Sequence, residues 1–204
     1  LSSSSAASDV YKRQIHTFNF FYMFLIIIPI LIPFFESFGL SMSEIFITQA
    51  VFGIAMALFE IPSAYLGDLW GRKNILLLGS FITGVGFTFL FLANGFWSLI
   101  FYEILLAIGA SFVSGADLSV LYDSIDENNT ELRVRSLGNM QSFKLIGEAI
   151  AGVLCSVVLY FSSYSTVVTI QVIVGWFPFI LSFYLIEPPI AVSYTHLRAH
   201  ETDS

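Results

Sequence analysis

The sequence predicts an all-α integral membrane protein, a bundle of six transmembrane helices. Three observations lead there. Of 204 residues, 56% are hydrophobic and 11% charged, and the mean hydropathy is +0.82, more apolar surface than a soluble domain of this length could bury. The apolar runs reach about twenty residues, enough to cross a hydrocarbon core of about 30 Å as a helix. They carry neither the single polar face of a soluble amphipathic helix nor the period-two alternation of a barrel strand.

Span one covers residues 15–35, where Pro29 and Pro33 predict a bend because each removes a backbone donor. It ends in the polar link from Ser37 to Ser43, which contains Gly39. Span two, 44–66, runs into the turn Gly67-Asp68-Leu69-Trp70-Gly71-Arg72-Lys73, a charged elbow that must meet water. Span three, 75–93, stops at Asn94-Gly95-Phe96. Span four, 97–121, repeats the small residues Ala107, Ser111 and Gly115 every fourth position, which lets a neighbouring helix approach closely. Span five, 136–161, carries Gly147 and Gly152. Span six, 167–186, is expected to bend at Pro178. Links this short make sequential helices antiparallel neighbours.

The two ends differ in composition from the rest. Residues 8–14 (SDVYKRQ) can be written in a DNA word whose reverse complement, in a shifted frame, encodes Val192 to His196. Residues 1–14 and 191–204 therefore read as translated sequencing adapter, leaving 15–190 as the native segment. His16 is then the sole native histidine. Neither a metal site nor a histidine-based catalytic group has material, so no catalytic residue, metal or cofactor is assigned. Cys155 lies in an apolar run and reads as a small packing residue.

Without Lys12, Arg13 and Arg198, five cations remain of the eight in the chain. Arg72 and Lys73 follow span two, Arg133 and Arg135 follow span four, and Lys144 lies within span five. The opposite loops contain no Lys or Arg. The positive-inside rule places the cation-bearing loops and the amino end in the cytoplasm. The net charge of −7 implies no partner by itself, and no nucleic-acid partner is expected.

The elbow resembles the signature loop between helices two and three of the major facilitator superfamily. Asp68, Gly71, Arg72 and Lys73 match its pattern. Ala64 stands where the first Gly falls and Leu69 where the first cation falls, so the first position stays small while the second carries no positive charge. The resemblance implies that the six spans are one half of a twelve-helix fold whose carboxy-terminal six-helix half is missing. It implies a secondary active transporter that moves a small solute by alternating access, in a plasma or bacterial inner membrane. Gly67, Asp68, Gly71, Arg72 and Lys73 are then the gating loop. A complete six-helix channel or interaction subunit working as a homodimer is the alternative.

A charge at membrane depth costs about 2.5–3.5 kcal/mol on insertion scales, so each needs a partner or a wet cavity. Glu60, Glu103, Asp117, Lys144 and Glu148 are the candidates for a solute pathway or for coupling to protons or sodium. Glu103 and Asp117 share one helix face about 21 Å apart. Lys144 and Glu148, spaced i, i+4, can pair with each other. Asp123 with Arg133 or Arg135 would form a second cytoplasmic latch. The arginine expected on span four just before Gly109 in proton-coupled drug exporters appears as Leu105, and span five lacks the Gly-Pro pair of the antiporter signature.

The orientation yields the first prediction. A Leu69→Cys probe in a Cys155→Ser background is expected to react with an impermeant maleimide only when the cytoplasmic face is exposed. Labelling from outside intact cells would reverse the topology.

Overall fold

The computed structural model describes residues 13–123, 125 and 130–185. Five helical segments are long and apolar enough to cross a membrane: Met42–Trp70, Arg72–Phe91, Phe96–Ser119, Thr130–Phe161 and Tyr164–Tyr184. No strand occurs among the described residues. The architecture is all-α, as expected.

The first span departs from a single bent helix. It comprises α1 (13–22), a 3₁₀ turn at Ile28–Ile30 and the short helix α2, Leu31–Glu36. Pro29 cannot donate to the carbonyl four residues back, and the chain leaves the helical path ahead of it. Tighter bonds replace the ladder, with Phe24 N donating to Phe21 O at 3.2 Å and Leu25 N to Met23 O at 2.8 Å. The amide of Ile27 instead donates to the buried Gln171 Oε1 at 3.2 Å.

α3, Met42–Trp70, starts earlier than its apolar run suggests, because Ser41 and Glu44 form a reciprocal capping box. α4 covers Arg72–Phe91 and α5 Phe96–Asp123. α6 begins at Thr130 and runs to Phe161, so Arg133 and Arg135 lie in its first turns and not in a loop. The sixth span is two helices, α7 (Tyr164–Gly175) and α8 (Phe177–Tyr184). The interruption at Trp176 sits two residues before Pro178, which removes the donor for the Val174 carbonyl.

α4 is the central helix, packed against α3, α5, α7 and α8, while α3 also packs along α5. Glycine makes the α4–α5 crossing possible. A β-carbon on Gly109 would meet Thr83 Oγ1, and would lie 2.9 Å from Gly79 O and 3.0 Å from Thr83 N. Gly175 likewise takes the Phe87 ring, and Gly84 lies under Trp176. α1 reaches α6 by the same means, since Gly147 sits against the Phe20 carbonyl, and His16 stacks on Phe143 with ring centroids 5.0 Å apart.

Two apolar clusters result. One, toward the elbow, gathers Phe18, Ile75, Leu76, Val113, Ala116 and Met140. The other, toward the opposite end, gathers Ile27, Phe35, Phe87, Leu99, Tyr102 and Val167. α3 and α6 are the least covered, with only 17% of their most apolar stretch buried against 50% for α4.

Packing at Gly109 gives the second prediction. Gly109→Ala is expected to lower stability in detergent by about 1–3 kcal/mol, because the atoms in its way are backbone. Gly53, whose added methyl meets nothing within 4 Å, should tolerate Ala within about 1 kcal/mol. Thermal unfolding of the two variants checks the contrast.

Candidate functional site

The elbow is built around Gly71. Its φ of +86° ends α3 and starts α4 in one residue, a backbone conformation open to glycine and strained for other residues. Gly67 is buried inside α3 and serves a different purpose. A β-carbon there would lie 2.8 Å from Arg72 Nη1, so the missing side chain leaves room for the guanidinium. Arg72 Nη2 then meets Asp68 Oδ1 at 2.8 Å. Arg72 and Lys73 sit at the start of α4, the positive end of its dipole, where a cation is disfavoured. The Asp68 carboxylate offsets the first of these charges.

Lys73 points elsewhere. Its Nζ donates to Phe183 O at 2.9 Å, and Gln14 Nε2 donates to Tyr184 O at 3.1 Å. These carbonyls end α8, where a helix lacks internal donors and its dipole favours a cation. Lys73 thus ties the elbow to the sixth span, a contact with no signal in the sequence because 110 positions separate the partners. Ala64 is exposed. The close approach of α3 to α5 occurs one residue earlier, where buried Ser63 donates to Ser111 O at 3.0 Å.

Inside the spans, Lys144 Nζ lies 2.6 Å from Asp117 Oδ2, and the pair joins α6 to α5. The i, i+4 partner expected for Lys144, Glu148, is exposed instead. Helix geometry explains the choice. Side chains lean toward the helix amino end, and a Lys placed before its acid is the weaker i, i+4 order. Asp117, with a side chain 2% exposed, also needs the cation more than Glu148 does. Tyr22 from α1 bonds Thr83 of α4 at 3.5 Å, within electrostatic reach of Asp117.

Glu103 is buried on the same helix as Asp117 and accepts from Gln49 Nε2 of α3 at 2.6 Å. Glu60 is exposed on α3. The five charges thus divide between two buried carboxylates, Glu103 and Asp117, the half-buried Lys144 that pairs with the second, and two outward carboxylates on the least covered helices. Arg133 Nη2 donates to Ile125 O at 3.4 Å, and Arg135 is exposed. The Asp123 side chain, the segment 126–129 and the tails 1–12 and 186–204 lie outside the described residues. No cluster of His, Cys, Asp or Glu suited to a metal occurs among those described.

Helices this long and apolar, joined by a cation-bearing elbow, define a multi-pass membrane protein. The family model of the Major Facilitator Superfamily matches residues 15–200, and the chain belongs to that family. An uncharacterized transporter of Buchnera aphidicola from Acyrthosiphon pisum is 28% identical over 119 residues, 58% of this chain and 30% of that protein. The inner membrane transport protein YajR of Escherichia coli is 28% identical over 100 residues, 49% of this chain and 22% of that protein. The crystal structure of a bacterial homolog to the human lysosomal transporter Spinster, inward-facing and unoccupied, superposes with a TM-score of 0.65 at 21% identity, covering 92% of this chain and 44% of the other. The matched stretch is less than a third of either curated relative.

The buried pair carries the third prediction. Lys144→Ala is expected to cost about 3–5 kcal/mol because it leaves the Asp117 charge alone. Combined with Asp117→Leu it should cost less than the two single changes summed, a coupling of about 0.5–3 kcal/mol in a double-mutant cycle read from thermal unfolding.

Proposed function

We propose that residues 15–190 form the amino-terminal six-helix half of a secondary active transporter that moves a small solute by alternating access. The family match carries this reading. The lengths support it, since the chain aligns to 44% of the solved relative, close to one half of a two-part fold. The sparsely covered faces of α3 and α6, bearing Glu60 and Glu148, suit contact with the second half.

The amino end and the elbow face the cytoplasm of a plasma or bacterial inner membrane, following the distribution of Lys and Arg. The elbow acts as a gate. Asp68 and Arg72 hold the α3–α4 turn, Lys73 holds the end of α8, and movement of the second half makes and breaks these contacts. Asp123 with Arg133 or Arg135 forms a second latch at the same face. Protons or sodium supply the driving gradient, and transport requires no covalent chemistry.

The open reading frame at the genomic locus should continue beyond residue 190 into six further spans. In proteoliposomes the complete product should exchange solute while residues 15–190 alone should not. Asp68→Asn is expected to slow initial uptake about two- to fivefold, as removal of one exposed charge pair made in one state implies. Active uptake by the isolated segment, or full activity in Asp68→Asn, would defeat the proposal.

A further inference from the structure

The ion pair between α5 and α6 is asymmetric, and its asymmetry bears on what the transporter carries. The Asp117 side chain is 2% exposed and that of Lys144 16%, so the lysine is the more accessible partner of the pair. Of the cations remaining between the tails, Lys144 alone lies deep within a span. It lies eight residues into span five, about 12 Å along the axis from residue 136. The other four sit at the elbow or in the first turns of α6. A half-buried ammonium, already matched to a carboxylate at 2.6 Å, is a point-charge receptor suited to another carboxylate.

A substrate carboxylate that takes Lys144 strips Asp117 of its ionic partner. The Asp117 charge would then stand among Val113, Ala116 and Leu121, all buried, at a cost of several kcal/mol. A proton on Asp117 removes that cost. The balance is simple. Before binding, the site holds one ammonium and one carboxylate. After binding, it holds the same ammonium, the substrate carboxylate and a neutral carboxylic acid, so its net charge is unchanged.

We propose, resting on the transporter reading above, that Lys144 and Asp117 form a charge-exchange site that takes a small carboxylate together with one proton. Lys144 receives the anion, and Asp117 is the proton carrier. Other titratable groups surround the pair from each packed element. His16 of α1 stacks on Phe143, next to Lys144. The Tyr22 hydroxyl of α1 is engaged with Thr83 of α4. Glu148 is exposed one turn farther along α6, and Glu103, on the α5 face, is engaged with Gln49. The carboxylate that gives up its counter-ion when the anion arrives is therefore that of Asp117.

The test is calorimetric titration of the full-length gene product in lipid nanodiscs. The probes are lactate, gluconate and benzoate, with lactamide as the neutral control, each in two buffers of different ionisation enthalpy. At least one acid should bind, lactamide should not, and the buffer difference should report uptake of about one proton per anion. Lys144→Gln should weaken binding more than about tenfold and Lys144→Arg should retain it. Asp117→Asn should still bind the anion and take up no proton, and Glu148→Gln should keep the proton linkage. The proposal is overturned if no acid binds, if binding takes up no proton, or if a folded Lys144→Gln variant binds normally. The wild-type titrations decide the matter even if a variant fails to fold. Transport of a neutral solute by a product that ignores all three acids would remove this inference and leave the transporter standing. Acid binding with proton uptake but no transport would do the reverse.

Discussion

Hydrocarbon supplies no hydrogen-bond partner, so every backbone amide and carbonyl placed in it must be satisfied by the protein. The departures from regular helix in this molecule each follow from that constraint. Where Pro29 interrupts the first span, Gln171 of α7 accepts from the amide of Ile27. Where α8 ends, Lys73 donates to the Phe183 carbonyl. Where α3 passes α5, Ser63 donates to the Ser111 carbonyl. The polar side chains scattered through the apolar spans therefore hold the helices in register across long sequence separations.

The same constraint governs close approach. With little hydrophobic drive between helices in lipid, small residues decide where backbones meet. α4 lies at the centre because Gly79, Gly84 and Gly86 present bare backbone to α5 and α7, while Gly109 and Gly175 answer from the other side. Gly147 does the same for α6 against α1, at the carbonyl of Phe20 beside the break. Fixing α6 there fixes the position from which Lys144 reaches across to α5. Packing of small residues and placement of charge are thus one arrangement, and a change at Gly147 would reach the ion pair through the backbone.

The elbow joins these themes at the membrane surface. Two cations at a helix start are electrostatically unfavourable, and each is answered differently. Arg72 turns back to Asp68 over a glycine, and Lys73 reaches the negative end of another helix. The turn is held by contacts that involve three helices yet remain partly exposed, with the Asp68 side chain 68% open. Contacts of that kind are weak singly and easily exchanged.

Hydropathy, length and the distribution of Lys and Arg were enough to establish an all-helical membrane protein, the positions of most spans, the elbow and the proline bend in the sixth span, while the family was legible only as a resemblance carried by Asp68, Gly71, Arg72 and Lys73. These are local properties, set by the transfer of side chains from water and by backbone donors that proline removes. The sequence pointed to Lys144 and Asp117 as charges needing partners but paired Lys144 with Glu148. It read the first span as one helix and gave Lys73 no partner beyond the turn. Those outcomes belong to the tertiary structure, because a buried charge or a freed amide takes whichever complementary group packing brings nearest. Nearness across 27, 110 or 144 positions is fixed by helix crossings and not by spacing along the chain.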